Sequence, residues 1–191
     1  MIQFTSRREK KFWVAAAFVI IAIFATLGLA QQLAGYLRDQ GIITNAFWVA
    51  IYLTAGTVVW YGLKKRISNL EIGIWLGIAA VYLLVFLRMN SPEERSHLIE
   101  YSVLAIFIHE ALKERARNGG NVSRPGLLAF TITALIGIVD ECVQLLIPQR
   151  VFDPIDIFFN SLAAFLSVSA SSALSWARNK VSTLSNKSGK S

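Results

Sequence analysis

The chain has 191 residues, of which 54% are hydrophobic and only 16% charged, with a mean hydropathy of +0.51. Those proportions exclude an ordinary water-soluble core and describe a membrane protein. The net charge of +7 does not mark a nucleic-acid binder, because the basic residues fall in short runs between apolar segments and not along one stripe.

Read in chain order, six apolar segments have about the length that a bilayer requires: 12–33, 46–63, 71–87, 97–112, 126–147 and 155–177. The basic N-terminus resembles a signal peptide, but the apolar run after it is too long for one, so an uncleaved first span is expected. The fourth segment is the shortest and carries His97, Glu100, His109 and Glu110. The expected fold is all-α: a polytopic bundle of six transmembrane helices. Residues 1–70 form an N-terminal two-helix addition, 71–177 a four-helix core and 178–191 a disordered basic tail. Cys142 is the only cysteine, so no internal disulfide can form.

Lys and Arg set the orientation. Fifteen of the nineteen lie in the N-terminus, the second and fourth loops and the tail, while Arg38, Arg88, Arg95 and Arg150 occupy the other loops. Both termini are therefore expected in the cytoplasm. Small residues mark helix-packing faces: Gly73 and Gly77 on the third span, and Ala163, Ser167, Ser171 and Ser175 on the sixth.

The most polar stretch, 138–160, joins the fifth and sixth spans through Pro148, Gln149 and Arg150. In this orientation the fifth span ends at the outer boundary, with Gln144 roughly 5 Å and Asp140 roughly 10 Å below it at 1.5 Å per residue. Asp156 and Asn160 begin the inward sixth span, and His97, Glu100 and Tyr101 begin the fourth. Residues three or four apart share a helix face, so each helix has one polar stripe. Stripes turned to lipid would cost about 2.5 to 3.5 kcal/mol per central charge. They are expected to face one another across an interior cleft.

These residues carry a resemblance. His97, Glu100 and Tyr101 on one span, Asp140, Glu141 and Gln144 on the next, then Pro148, Arg150, Asp153, Asp156 and Asn160, together resemble the VanZ-like family of small integral membrane proteins. The likeness covers roughly 71–177. Ala163 and Ser167 stand where glycines are expected, and Glu94, with Arg95 beside it, stands where a basic residue is expected. The family's namesake is associated with low-level teicoplanin resistance, which implies work near cell-envelope lipids and glycans.

Individual roles follow from position. Asp153 before Pro154 fits a helix cap, and Asp156 fits both the helix dipole and the cleft. Arg150 suits a snorkelling cation or a partner for Glu141 or Asp156. His97 at a rim suits exposure as well as a site. Adjacent carboxylates project about 100° apart on a helix, so one narrow site is expected to take only one of them. Glu141, three residues from Gln144, is the expected reactive group, and Asp140 the anchor between helices. His109 and Glu110 lie towards the other end of their span, outside the site.

The expected function is action on a cell-envelope lipid or lipid-linked glycan in an outer-leaflet cleft by acid–base hydrolysis or transfer. Glu141, His97, Gln144 and Asp156 form the catalytic set, with Arg150, Asn160, Tyr101, Glu100, Asp140 and Asp153 as substrate contacts. The alternative is a non-catalytic protein that binds a lipid head group or lipoglycopeptide. Ion transport is disfavoured, since the inner half of the fifth span offers only Thr131 and Thr133 as polar side chains. No cofactor motif appears. A divalent cation bridging Asp156, Glu141 and a pyrophosphate is disfavoured, because the spacing matches no established metal signature, and no metal ligands are assigned.

Overall fold

The computed structural model describes residues 3–39, 68–88, 92–147 and 152–188, and the side-chain surroundings of 3–25, 68–88, 95–147 and 152–183. Every element there is an α-helix: α1 (Arg7–Asp39), α2 (Asn69–Arg88), α3 (Pro92–Arg117), α4 (Pro125–Gln144) and α5 (Pro154–Ser188). The second expected span, 46–63, lies outside the described residues.

Local chemistry sets the helix ends. Ser68 and Glu71 exchange backbone N–H groups reciprocally, Ser68 N to Glu71 Oε2 at 3.1 Å and Glu71 N to Ser68 Oγ at 3.2 Å, a capping box that starts α2. Past the end of α3, Gly119 takes a φ of +83°, and Gly119 N and Gly120 N return to the carbonyls of Ala116 and Arg115. That left-handed turn satisfies the last carbonyls of α3 and favours glycine. Pro125 opens α4 at a position where its missing N–H costs nothing.

Among the described residues three helices are long and apolar enough to cross a membrane: α2, α4 and the 154–183 portion of α5. They correspond to the third, fifth and sixth of the six expected spans. The fourth expected span is a helix, α3, but its ionisable residues keep it below that apolarity. The physical reason lies in its position, because α3 packs against α1, α4 and α5 and is shielded by them. Its Leu98, Tyr101, Leu104, Ala105 and Ile108 are buried in the core. On α1, Glu9, Ala16 and Ile23 recur every seventh residue as the buried stripe.

Small residues close the α4–α5 contact, as lipid-embedded helices require. Ala129, Thr133 and Gly137 of α4 and Ala163, Ala164 and Ser167 of α5 are buried. Ser171 Oγ donates to Glu110 Oε1 of α3 at 3.1 Å, and Lys113 Nζ donates to Ser175 Oγ at 3.0 Å, so the serine stripe of α5 also ties it to α3. Gly73 and Gly77 differ from expectation. Both are exposed, and among the described residues nothing lies within 4 Å of a Cβ placed on either. The tail also differs: α5 continues through 178–188, where disorder was expected. Arg178 Nε pairs there with Glu71 Oε1 at 2.9 Å, an inter-helix anchor that composition does not reveal.

Ion pairs fix which ends adjoin. Arg115 Nη1, late in α3, meets Glu9 Oε1, early in α1, at 3.0 Å, and Arg178 joins late α5 to early α2. The starts of α1 and α2 therefore share one end of the bundle with the end of α3. The start of α3, the end of α4 and the start of α5 share the other.

The Glu9 pair yields an expected pH effect. Burial raises the pKa of this carboxyl, but hydrogen bonds from Thr5 and the charge of Arg115 outweigh it and hold the pKa below the ordinary carboxyl value. A depressed folded-state pKa contributes stability that is present above the unfolded value and lost as pH falls through the folded one. Thermal unfolding in detergent should therefore show the native chain more stable than Glu9→Gln at neutral pH, with the gap closing on acidification below the carboxylate range. A gap independent of pH would contradict this assignment.

Candidate functional site

The buried positions of α4 are Ala129, Thr133, Gly137, Asp140, Glu141 and Gln144, a single face of the helix. Its lower half is small and its upper half polar. The helix ends at Gln144, three residues before the expected 147, in a tight turn closed by Leu146 N to Val143 O (2.9 Å) and Ile147 N to Gln144 O (3.1 Å). Pro148 follows, and a residue before proline is disfavoured in helix.

Asp140 and Glu141 are both fully buried, at 0% exposure. The expectation that one narrow site could take only one of them is therefore corrected. The two side chains diverge, but α4 packs against both α3 and α5, so each carboxylate finds partners on a different neighbour while both stay in one cluster with His97. Towards α3, Tyr101 Oη donates to Asp140 Oδ2 at 2.9 Å, and His97 Nδ1 lies 3.9 Å from the same oxygen. Towards the start of α5, Asp153 N donates to Glu141 Oε2 at 3.3 Å, while Gln144 Nε2 donates to Glu141 Oε1 at 2.8 Å. Asp140 thus ties α4 to α3 through Tyr101 and lies in the same cluster as Glu141 and His97. A histidine nitrogen and one carboxylate oxygen from each acid all lie within 4.8 Å of one another.

His97 is buried at 6% exposure, not set out at the rim. Its ring stacks on Tyr101 with centroids 5.9 Å apart at 30°. Tyr101 is itself fully buried. Asp153 caps α5, with Ile155 N donating to its Oδ1 at 2.8 Å, and Glu141 accepts from its backbone. Asp156 in the first turn of α5 and Glu100 on α3 are only half-buried. Arg150 lies outside the described residues. His109 stands beside Gly126 at the opposite end of α4, away from this pocket.

Asn160 is fully buried, and neither its Oδ1 nor its Nδ2 has a hydrogen-bond partner among the described residues. A buried amide with neither atom paired is rare and needs a reason. Gly137 explains its placement. A Cβ there would lie 2.9 Å from Asn160 Cβ, 3.3 Å from Asn160 Nδ2 and 3.3 Å from Tyr101 Cε1. Sequence reasoning passed over Gly137. Its signal was available, since it stands three, four and seven residues before Asp140, Glu141 and Gln144, on their face.

Helices apolar enough to span a membrane, packed around a buried His, Asp, Glu and Asn at one end, define a membrane protein with an internal polar cluster. The chain belongs to the VanZ/LLP1 family, whose model matches residues 4–175. The match begins well before residue 71, so it takes in the stretch that the sequence analysis set apart as an addition. Comparison with curated proteins and with solved structures returned no match.

Proposed function

We propose that this protein is a six-span membrane protein with cytoplasmic termini whose pocket opens to the non-cytoplasmic leaflet. There it acts on a cell-envelope lipid or lipid-linked glycan by acid–base hydrolysis or transfer. The observation that carries the reading is a pair of fully buried carboxylates beside a buried histidine, at the end of a membrane-spanning helix. Ionisable groups in such segments are expensive and mark function by default. Sidedness is supported by the bundle ends: Arg7, Arg8, Lys10, Lys11, Lys113, Arg115, Arg117, Arg124, Arg178 and Lys180 belong to the end away from the pocket, and basic loops stay cytoplasmic.

In this reading Glu141, held by Gln144 and the Asp153 backbone, transfers a proton to or from the reacting group, with His97 as the second carrier. Asp156 stands at the mouth of the same pocket. Asp140, Tyr101, Asn160, Glu100, Asp153 and Arg150 contact the polar head. The unpaired amide of Asn160 favours a bound head group whether or not it is turned over, which supports a binding-only reading as the alternative. A lipoglycopeptide such as teicoplanin combines lipid and glycan, and an antibiotic-resistance role would take that form here.

Glu141→Gln separates the two readings, since the amide keeps shape and hydrogen bonding but not the proton. The native chain and the variant are purified in lipid nanodiscs, and their retained lipids are compared by mass spectrometry. A lipid or glycolipid accumulating only in the variant is expected for catalysis. Equal retention would leave binding alone, and no enriched lipid in either would remove the lipid reading.

A further inference from the structure

We propose that His97, Asp140 and Glu141 form a binding site for one divalent transition-metal ion, zinc in preference to magnesium. The inference deepens the reading above and rests on the same pocket, but it requires no turnover. Zinc bonds of about 2.0 to 2.2 Å in a tetrahedral arrangement place ligand atoms about 3.3 to 3.6 Å apart. The His97–Asp140 pair, at 3.9 Å, stands just outside that spacing, and the full set, within 4.8 Å, closes onto an ion with side-chain movements of about 1 Å. An imidazole with two carboxylates is a donor set for a transition ion, whereas magnesium takes oxygen ligands and keeps its water.

The surroundings match what a metal site requires beyond its ligands. Liganding carboxylates are normally held by hydrogen bonds from outside the first shell. Here Tyr101 Oη holds Asp140, and Gln144 Nε2 and Asp153 N hold Glu141. Asn160 is the independent observation. Its fully buried, unpaired amide lies against Gly137 and Tyr101, one helical turn below the carboxylates. A water carried on the ion would give that amide its missing partner. With an ion bound, His97 is a ligand, and activation of water passes from Glu141 to the ion, which lowers the pKa of the water it holds.

The test uses tag-free full-length protein in detergent, stripped by chelation, equilibrated separately with zinc, manganese or magnesium chloride, desalted and assayed by mass spectrometry. About one zinc per chain should remain, magnesium should wash out, and His97→Ala and Asp140→Asn should each lose most of the zinc. Tyr101→Phe keeps the ring but not the hydroxyl on Asp140, and should weaken zinc binding about 10- to 100-fold. Cobalt loading of the unaltered protein provides a readout that no misfolded variant can confuse: visible ligand-field absorption is expected, displaced by zinc. Absence of both stoichiometric zinc and the cobalt spectrum, or zinc undiminished in both His97→Ala and Asp140→Asn, would overturn the proposal. Metal content is measured without lipid, so a negative lipid-retention result does not affect it. Lipid enrichment in a metal-free protein would remove the ion alone.

Discussion

Asn160→Leu should leave the protein as stable as the native chain, or more stable by about 1 to 3 kcal/mol, while removing retention of the head group. Leucine has nearly the shape of asparagine but buries no unpaired donor or acceptor. A fully buried amide with no hydrogen-bond partner among the described residues bears its desolvation cost in the protein alone and recovers it when something polar binds there. Stability sacrificed locally and repaid by a ligand is a feature of functional sites. Unfolding titrations in mixed micelles measure the first half of the expectation, and lipid mass spectrometry the second. A clear loss of stability in Asn160→Leu would mean that the amide supports the fold, and the binding role assigned to it would fall.

Gly137→Ala should act in the opposite direction. Alanine gains roughly 1 kcal/mol over glycine in a helix interior, but here its methyl would stand 2.9 Å from Asn160 Cβ. That carbon is fixed to the α5 backbone and cannot rotate aside, so α4 and α5 must separate. Overpacking of this kind costs about 1 to 3 kcal/mol, and separation also disturbs Tyr101, whose ring edge lies 3.3 Å from the new methyl. The variant should be destabilised and lose the site together. Asn160→Ala retains the offending Cβ and should not relieve it, whereas Asn160→Gly in the same chain should restore part of the stability. Gly137→Ala unfolding like the native protein would show that the helices do not approach this closely.

Much of the architecture was legible because hydrophobic length is a local property. The third segment, expected at 71–87, is α2 (Asn69–Arg88), and the fifth, expected at 126–147, begins as α4 at Pro125. The gathering of His97, Tyr101, Asp140, Glu141 and Asn160 at one end of the bundle was also legible, since alternation of helix direction brings the start of one helix beside the end of the previous one. Legibility stopped at questions of rotation and distance. Gly73 and Gly77 carry the same spacing signal as a packed glycine face, yet they are exposed among the described residues, while Gly137, eleven residues from the other glycine of its helix, meets another helix. Spacing shows which residues share a face, but not what that face meets.

The sequence by itself determined that this is a helical membrane protein, where its polar residues cluster and which family motifs they carry. The first two follow from apolar run lengths and from the cost of placing charge in lipid, and the third from a resemblance in residue order and spacing; none needs coordinates. Only the tertiary structure decided that both adjacent carboxylates are buried in one cluster, that His97 is buried beside them and that Asn160 has no hydrogen-bond partner among the described residues. Each of these depends on how closely three helices approach and how each is turned about its axis. Approach and rotation are set by contacts between residues far apart in the chain, such as Gly137 against Asn160 and Tyr101, and no local pattern records them.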